Sequence, residues 1–236
     1  MQTFDTFDGG ILVDKPAGPT SHDVVDEIRR QFRFKKVGHC GTLDPGATGL
    51  LIVVLGKATK LSEKLMGSDK VYSGELKLGE VTSTYDSEGE LLVQNPVPPL
   101  TLQQLNSEAT AFRGDQLQTP PMVSAVKVNG VPLYKLARKG LDVERKPRLI
   151  YVYKFLITAY EPPFARFEVA CTKGTYVRSL VHDFGNRIGC GAHLTQLRRH
   201  SSGNFDVKHA LPYEEILCMP LSELEKHTIP FLKLAV

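Results

Sequence analysis

The chain has 236 residues, 42% of them hydrophobic, and carries 29 basic against 26 acidic residues for a formal charge of +3. That length can bury a substantial core as one large or two small domains, and so small a charge permits a polyanionic partner without requiring one. The opening MQTFDTFDGG lacks the basic-then-apolar order of a secretory or transit sequence, and the longest apolar run, Leu50 to Leu55, is far short of a membrane span, so a cytoplasmic protein is expected. Cys40, Cys171, Cys190 and Cys218 stand singly, without CxxC or a companion histidine, which predicts reduced thiols and no metal site.

In chain order, ILVDKP (Ile11 to Pro16) reads as a short buried strand stopped by proline. Thr20 or Ser21 can cap the helix that follows, with Val24, Val25, Ile28 and Phe32 on its inner stripe. Leu50 to Leu55 is a buried strand, a polar helix from Lys57 to Met66 comes next, and VYSGELKLG is a strand with Tyr72, Gly74, Leu76 and Leu78 on one face. Glu80 to Pro99, rich in Ser, Thr, Glu, Gly and Pro, predicts a long exposed excursion, and Leu102, Leu105, Ala109 and Phe112 predict an amphipathic helix.

Asn129-Gly130 signals a tight hairpin turn, and LYKLARKG a short helix ended by Gly140. LIYVYKFLITAYEPP and FARFEVACT predict an antiparallel hairpin turning at Pro162-Pro163, with Ala165, Phe167, Val169 and Cys171 facing inward. From Tyr176 the helical period is sharp, through Val177, Leu180, Val181, Phe184 and Ile188, and Gly189 ends it. The strand AHLTQLRRHSS and a short helical stretch complete a mixed α/β (α+β) chain in which antiparallel pairing dominates, without internal repeats.

The segment GHCGTLDPGATGLL (Gly38 to Leu51) is unlike ordinary loop sequence. Gly38, Gly41, Gly46 and Gly49 free the backbone for positive φ or close approach, and Pro45 drives Asp44 out of the α region, a geometry that can present one carboxylate at the floor of a cleft. An isolated Asp-Pro more often only opens a turn. The Walker and GxGxxG phosphate-binding patterns both fail here, and the HxE with PCxxC of zinc deaminases is absent. RRQFRFKK (Arg29 to Lys36), ARKG with VERKPR, and LRRH (Leu197 to His200) can supply phosphate contacts, with Phe32 and Phe34 read as core anchors.

VDKPAGPTSHDVV, GHCGTLDPGATGLL, DKVYSGELKLG, PPMVSAVKVNGVPLYKLARKG, CTKGTYVRSLVHDFG and LTQLRRHSSGNF each resemble, in order, blocks of the TruB-type tRNA pseudouridine synthases. The resemblance implies a pseudouridine synthase fold, a mixed and largely antiparallel sheet flanked by helices, in a single catalytic domain over 1–236 with an RNA-binding excursion near 79–145. It implies cofactor-free conversion of uridine 55 in the tRNA T loop to pseudouridine by base flipping. Asp44 is then the catalytic carboxylate, Arg178 its charge partner, and Tyr72 the ring stacked on the target base. Tyr176 and Leu197 match pocket positions, and His39 matches a histidine that packs within the T loop.

Residue types agree with this chemistry. A carboxylate can attack the anomeric carbon, stabilise an oxocarbenium-like centre or take a sugar proton, and a guanidinium keeps it ionised in a partly dry pocket. Arg178 opens a helix, where a cation is unfavourable unless an anion partners it. Gly46, Cys40 and Val123 depart from residues common in the family, and the chain stops too soon after GNFDVKHALPYEEI for a full C-terminal PUA-type RNA-binding module. A monomer without an obligate protein partner is expected. An RNA N-glycosidase using similar carboxylate chemistry, or a non-catalytic chaperone holding the T arm, are the alternatives.

Overall fold

The computed structural model describes residues 7–234; the first six residues, part of the stretch read above for a targeting signal, lie outside them. The main elements are β1 (Gly9–Lys15), α1 (Ser21–Phe32), β2 (Val37–Cys40), β3 (Thr48–Leu55), α2 (Ser62–Met66), β4 (Lys70–Leu78), β5 (Glu80–Thr82), β6 (Leu91–Gln94), α3 (Leu102–Thr110), β7 (Gly114–Gln118), β8 (Lys127–Val128), β9 (Val131–Pro132), α4 (Leu133–Ala137), β10 (Arg148–Glu161), β11 (Phe164–Cys171), α5 (Val177–Ile188), β12 (Ala192–Ser202), β13 (Phe205–Asp206), β14 (Leu211–Pro212), α6 (Tyr213–Cys218), α7 (Leu221–His227), β15 (Ile229–Pro230) and α8 (Phe231–Leu234). They form two compact units: one runs to Tyr72 and resumes at Leu197, the other is Ser73–Gln196. The chain passes between them within β4 and within β12.

In the first unit β3 is central. β1 pairs along its whole length, antiparallel, from Gly9↔Leu55 to Lys15↔Gly49. On its other side β2 pairs with the far half, Val37↔Leu55 to Cys40↔Ile52, and β12 runs parallel beside the near end at Arg198↔Thr48 and Arg199↔Gly49. Flanked on both edges and covered on both faces, β3 is buried from Gly49 to Leu55, which accounts for its continuous apolar run. Leu12, Cys40, Leu50, Ile52, Val54, Ala58, Leu65 and Leu234 make one core cluster, and Phe32 and Phe34 are buried ring on ring at 5.7 Å, core anchors as expected.

In the second unit the strand order is β12, β4, β11, β10, β7. The inner positions of β11, namely Ala165, Phe167, Val169 and Cys171, are all buried, and the predicted hairpin to β10 forms at Pro162-Pro163. α3 and α5 contribute Leu105, Ala109, Leu180, Val181 and Phe184 to this core. Phe155 sits at its middle, edge-on to Phe112, Phe167 and Phe184 with ring centroids 6.0, 5.8 and 5.3 Å away. Asn129 and Gly130 take the two positive φ values, 50° and 81°, that their hairpin turn demands.

Three expectations change. The polar helix from Lys57 to Met66 is a tight 3-10 turn (Gly56–Leu61) followed by α2, since only Ala58 and Leu65 are buried there and a longer apolar stripe is lacking. The stretch from Glu80 to Pro99 is exposed over most of its length, as expected of an excursion, but it is ordered: β5 and β6 form a hairpin whose turn is tied by Thr82, Thr84 and Asp86. Leu102 is exposed, and Phe112 reaches the core from beyond the end of α3.

Gly185 lies inside α5, where alanine would ordinarily stabilise a helix by about 1 kcal/mol. A Cβ there would stand 2.1 Å from the Ala192 nitrogen and 2.3 Å from the Gly191 carbonyl carbon, both main-chain atoms. Gly185→Ala is therefore expected to reverse the usual sign and destabilise by roughly 2 kcal/mol, read as a lower urea midpoint and Tm. An unchanged or raised midpoint would contradict the packing described.

Candidate active site

Residues 41–47 join β2 to the end of β3 where its neighbour changes from β2 to β12, and three buried side chains of the same unit fix this loop. Arg199, 1% exposed, donates from Nε to the Leu50 carbonyl at 2.7 Å and from an Nη to the Gly41 carbonyl at 2.9 Å, so one guanidinium ties the two ends together. Ser21 accepts from the Leu43 amide at 2.8 Å and donates to the Leu43 carbonyl at 3.0 Å. Lys15, fully buried, donates to the carbonyls of Pro16, Pro19 and Pro45 at 2.7, 2.8 and 3.1 Å, and the Gly18 amide also donates to Pro45. Three carbonyls satisfy the three ammonium donors, which makes burial of that charge tolerable.

Asp44 stands between the two clamped residues, Leu43 and Pro45, and is half-buried. Its own carbonyl accepts from the Ala47 amide at 3.1 Å, the turn its Asp-Pro pair foretold. Two glycines are required. Gly41 has φ +90° beside the Arg199 guanidinium, and Gly49 has φ +99° with the Arg199 main chain so close that a Cβ would fall 2.3 Å from its carbonyl oxygen.

His39 lies on β2 opposite Val53, half-buried, with Nδ1 enclosed and without a hydrogen-bond partner. Desolvation, then the nearby Arg199 charge and His22, hold its pKa below the ordinary histidine value, so it is neutral near pH 7. Burial raises the neighbouring Cys40 thiol to about 11, an inert core thiol. Tyr72 is buried on β4, and Leu197 is half-buried on β12, its carbonyl accepting from Thr48 at 3.4 Å. Next to it Arg198 grips the Asp14 carboxylate with both nitrogens, at 3.0 and 2.7 Å.

The second unit holds Tyr176 and Arg178 at the start of α5. Buried Gln118 accepts from the Tyr176 amide at 2.8 Å and donates to its carbonyl at 3.0 Å, which pins the chain as it enters the helix. Arg178 is 3% exposed. Its nitrogens donate to the carbonyls of Thr84 and Val123 at 3.1 and 2.8 Å, and Nε lies 3.5 Å from the Asp86 carboxylate. Asp86 is itself held by the Thr84 hydroxyl and the Glu88 amide.

Of the residues singled out from sequence, the first unit carries Asp44, His39, Tyr72 and Leu197, and the second carries Arg178 and Tyr176. Lys15, Ser21, Arg199 and Asp86 were not singled out. Ser21 was read as a possible helix cap, but Thr20 forms the capping box with Asp23 and frees Ser21 for Leu43. Arg199 left no local signal, because His193, Thr195, Leu197 and Ser201 share its side of β12, a largely polar set on which a charge does not stand out.

The profile of the TruB family pseudouridylate synthase N-terminal domain matches residues 29–177, and that of the tRNA pseudouridylate synthase B C-terminal domain matches residues 178–230. The tRNA pseudouridine synthase B of Opitutus terrae is 52% identical over 98% of this chain and 95% of its own length; that of Haemophilus influenzae is 45% identical over 94% of this chain and 72% of its own. Among solved structures, a Cbf5-Nop10-Gar1 complex aligns with TM-score 0.76 and 29% identity over 96% of this chain. An H/ACA RNP bound to a substrate RNA containing 2′-deoxyuridine aligns with TM-score 0.69 and 27% identity. The chain spans 61% and 58% of those two solved chains, less than two thirds of either.

Burial makes three histidines poor bases: desolvation lowers the pKa of His39, His182 and His193 from 6.5. Below that value the unfolded chain binds protons the native state refuses, so stability conferred by the neutral rings is present above pH 6.5 and lost as pH falls. The carboxylates with lowered pKa, including Asp23 and Glu223, act only below their ordinary 3.8 to 4.5. Denaturation is thus expected to give a lower unfolding free energy at pH 5.5 than at 7.5, with a smaller drop in His39→Gln. A flat profile would contradict neutral burial.

Proposed function

The chain belongs to the TruB family of pseudouridylate synthases, and from that footing we propose that it isomerises uridine 55 in the T loop of tRNA to pseudouridine, with Asp44 as the catalytic carboxylate. One observation carries the assignment to Asp44. Both of its chain neighbours are bonded to buried side chains, Leu43 to Ser21 and Pro45 to Lys15, so the carboxylate between them is held on a rigid backbone.

The reaction breaks the C1′–N1 bond, turns the uracil within the pocket, joins C1′ to C5, and releases the C5 proton while N1 takes one up, so no atom or electron is gained overall and no cofactor is called for. Asp44 serves at the sugar, by attack on C1′ or by removal of a proton, and either role needs the ionised form. Arg178 serves as charge partner and favours that form. The base leaves its stack; the Tyr72 ring compensates by stacking, Tyr176 and Leu197 line the pocket, and neutral His39 packs within the T loop.

Residues 79–145 follow the RNA, and the exposed basic residues of Arg29 to Lys36 and of Arg138 to Arg148 contact phosphates; the LRRH arginines do not join them, because Arg199 is buried on main-chain carbonyls and Arg198 pairs with Asp14. The two units work as one catalytic domain of a cytoplasmic monomer. Support for an RNA substrate comes from the relatives named above, one of which is solved with a substrate RNA.

Incubation with an unmodified tRNA transcript and no added cofactor is expected to yield pseudouridine in the T loop, mapped at single-nucleotide resolution. Asp44→Asn is expected to lower kcat by at least about 10³-fold while tRNA is still bound. No T-loop pseudouridine from the wild type, full activity in Asp44→Asn, or release of free uracil would each overturn the proposal.

A further inference from the structure

Residues 84–86 meet α5 through three successive side chains or carbonyls. The Thr84 carbonyl accepts from Arg178, and the Asp86 carboxylate pairs with its Nε. Tyr85 between them adopts φ +65°, the left-handed region that a bulky residue rarely enters without compensation. Its ring lies flat on the His182 imidazole, with centroids 3.9 Å apart and planes 15° from parallel. His182 is one helical turn beyond Arg178 on α5, so both side chains leave the same face.

We infer that His182 is a positioning residue for Arg178, acting through the Tyr85 stack that keeps residues 84–86 in the conformation gripping the guanidinium. The main chain of Tyr85 is otherwise held by the Leu194 amide on its carbonyl at 3.0 Å and by a 3.3 Å bond from its own amide to Thr82. These bonds fix the loop near the strand, but the side chain that must pass through the left-handed turn has its ring support in His182. Asn186, a further turn along, sits 3.0 Å from His182 Nε2 and sets the imidazole plane. Desolvation keeps the ring neutral, so it meets the phenol as a flat apolar surface and adds no second cation beside Arg178.

Loss of the stack lets Tyr85 leave its strained conformation, and the Thr84 carbonyl and Asp86 carboxylate move with it. Arg178 then loses two of its anchors, while the exposed basic clusters that contact phosphates stay in place. This rests on the pseudouridine synthase reading only for its kinetic readout; the state of Arg178 is measured without substrate.

The test compares His182→Ala with His182→Phe, which retains a flat ring. His182→Ala is expected to lower kcat on the order of tenfold with KM for tRNA changed less than about twofold, and His182→Phe to recover most of kcat. In ¹⁵N-labelled free protein, the Arg178 Nε–Hε resonance, assigned by its loss in Arg178→Lys, is expected to shift or broaden in His182→Ala and to return in His182→Phe. Melting curves establish that each variant is folded, and Tyr85→Phe and Tyr85→Ala repeat the comparison from the other ring should His182→Ala fail to fold. An unchanged Arg178 resonance in folded His182→Ala, or a His182→Phe no better than alanine, would overturn the inference. Absence of pseudouridine from the wild type would instead sink the functional reading and leave the resonance test standing.

Discussion

The bidentate hold of the buried Arg199 guanidinium on the carbonyls of Gly41 and Leu50 is the constraint on which the first unit's loop depends. Where β2 stops and β12 takes its place beside β3, the Leu50 carbonyl would otherwise face an apolar interior unpaired, at a cost of roughly 1–3 kcal/mol. A lysine could offer charge but not two donors in a fixed fork. The close approach that brings Arg199 to Gly49 also leaves no room for a side chain there, so the two glycines of the loop and the arginine of β12 form one solution to one packing problem. Ser21 and Lys15 then hold the middle of a loop whose ends are already fixed.

A different logic governs the second unit. Arg178 is almost wholly buried at the first turn of α5, where the helix dipole disfavours a cation, and its charge is met by Asp86 and two carbonyls from loops rather than by the helix. Gln118 fixes the residue just before the helix. In each unit, then, a charged side chain is taken out of water and bonded to main-chain carbonyls, which holds the main chain in place at the expense of desolvation. Breaking such a set typically costs about 3–5 kcal/mol, because the remaining charge is left unpaired.

Periodicity made the regular elements legible: the stripe of α1, the buried run of β3, the alternation of β11 and the extent of β12 follow from side-chain spacing alone. The hairpin of β5 and β6 was not legible, since Leu91, Leu92 and Val93 are exposed and follow a turn-rich stretch that looks like loop. For the candidate site, the glycines around Asp44 and the proline after it were visible as local sequence, and the resemblance assigned Asp44, Tyr72, Tyr176, Arg178, Leu197 and His39. What sequence left hidden were long-range supports. Arg199 is 158 residues from the carbonyl of Gly41 and Ser21 is 22 from Leu43, and no local pattern reports such a pairing.

The catalytic role proposed for Asp44 requires its loop to be held by Arg199, Ser21 and Lys15. Arg199→Lys tests this most directly, because it keeps the charge and removes the fork. Single-turnover rates on a T-arm hairpin, taken with hairpin affinity and a melting curve, are predicted to fall by at least about 100-fold while the variant still folds and binds RNA. A folded Arg199→Lys protein that forms pseudouridine at the wild-type rate would contradict the account.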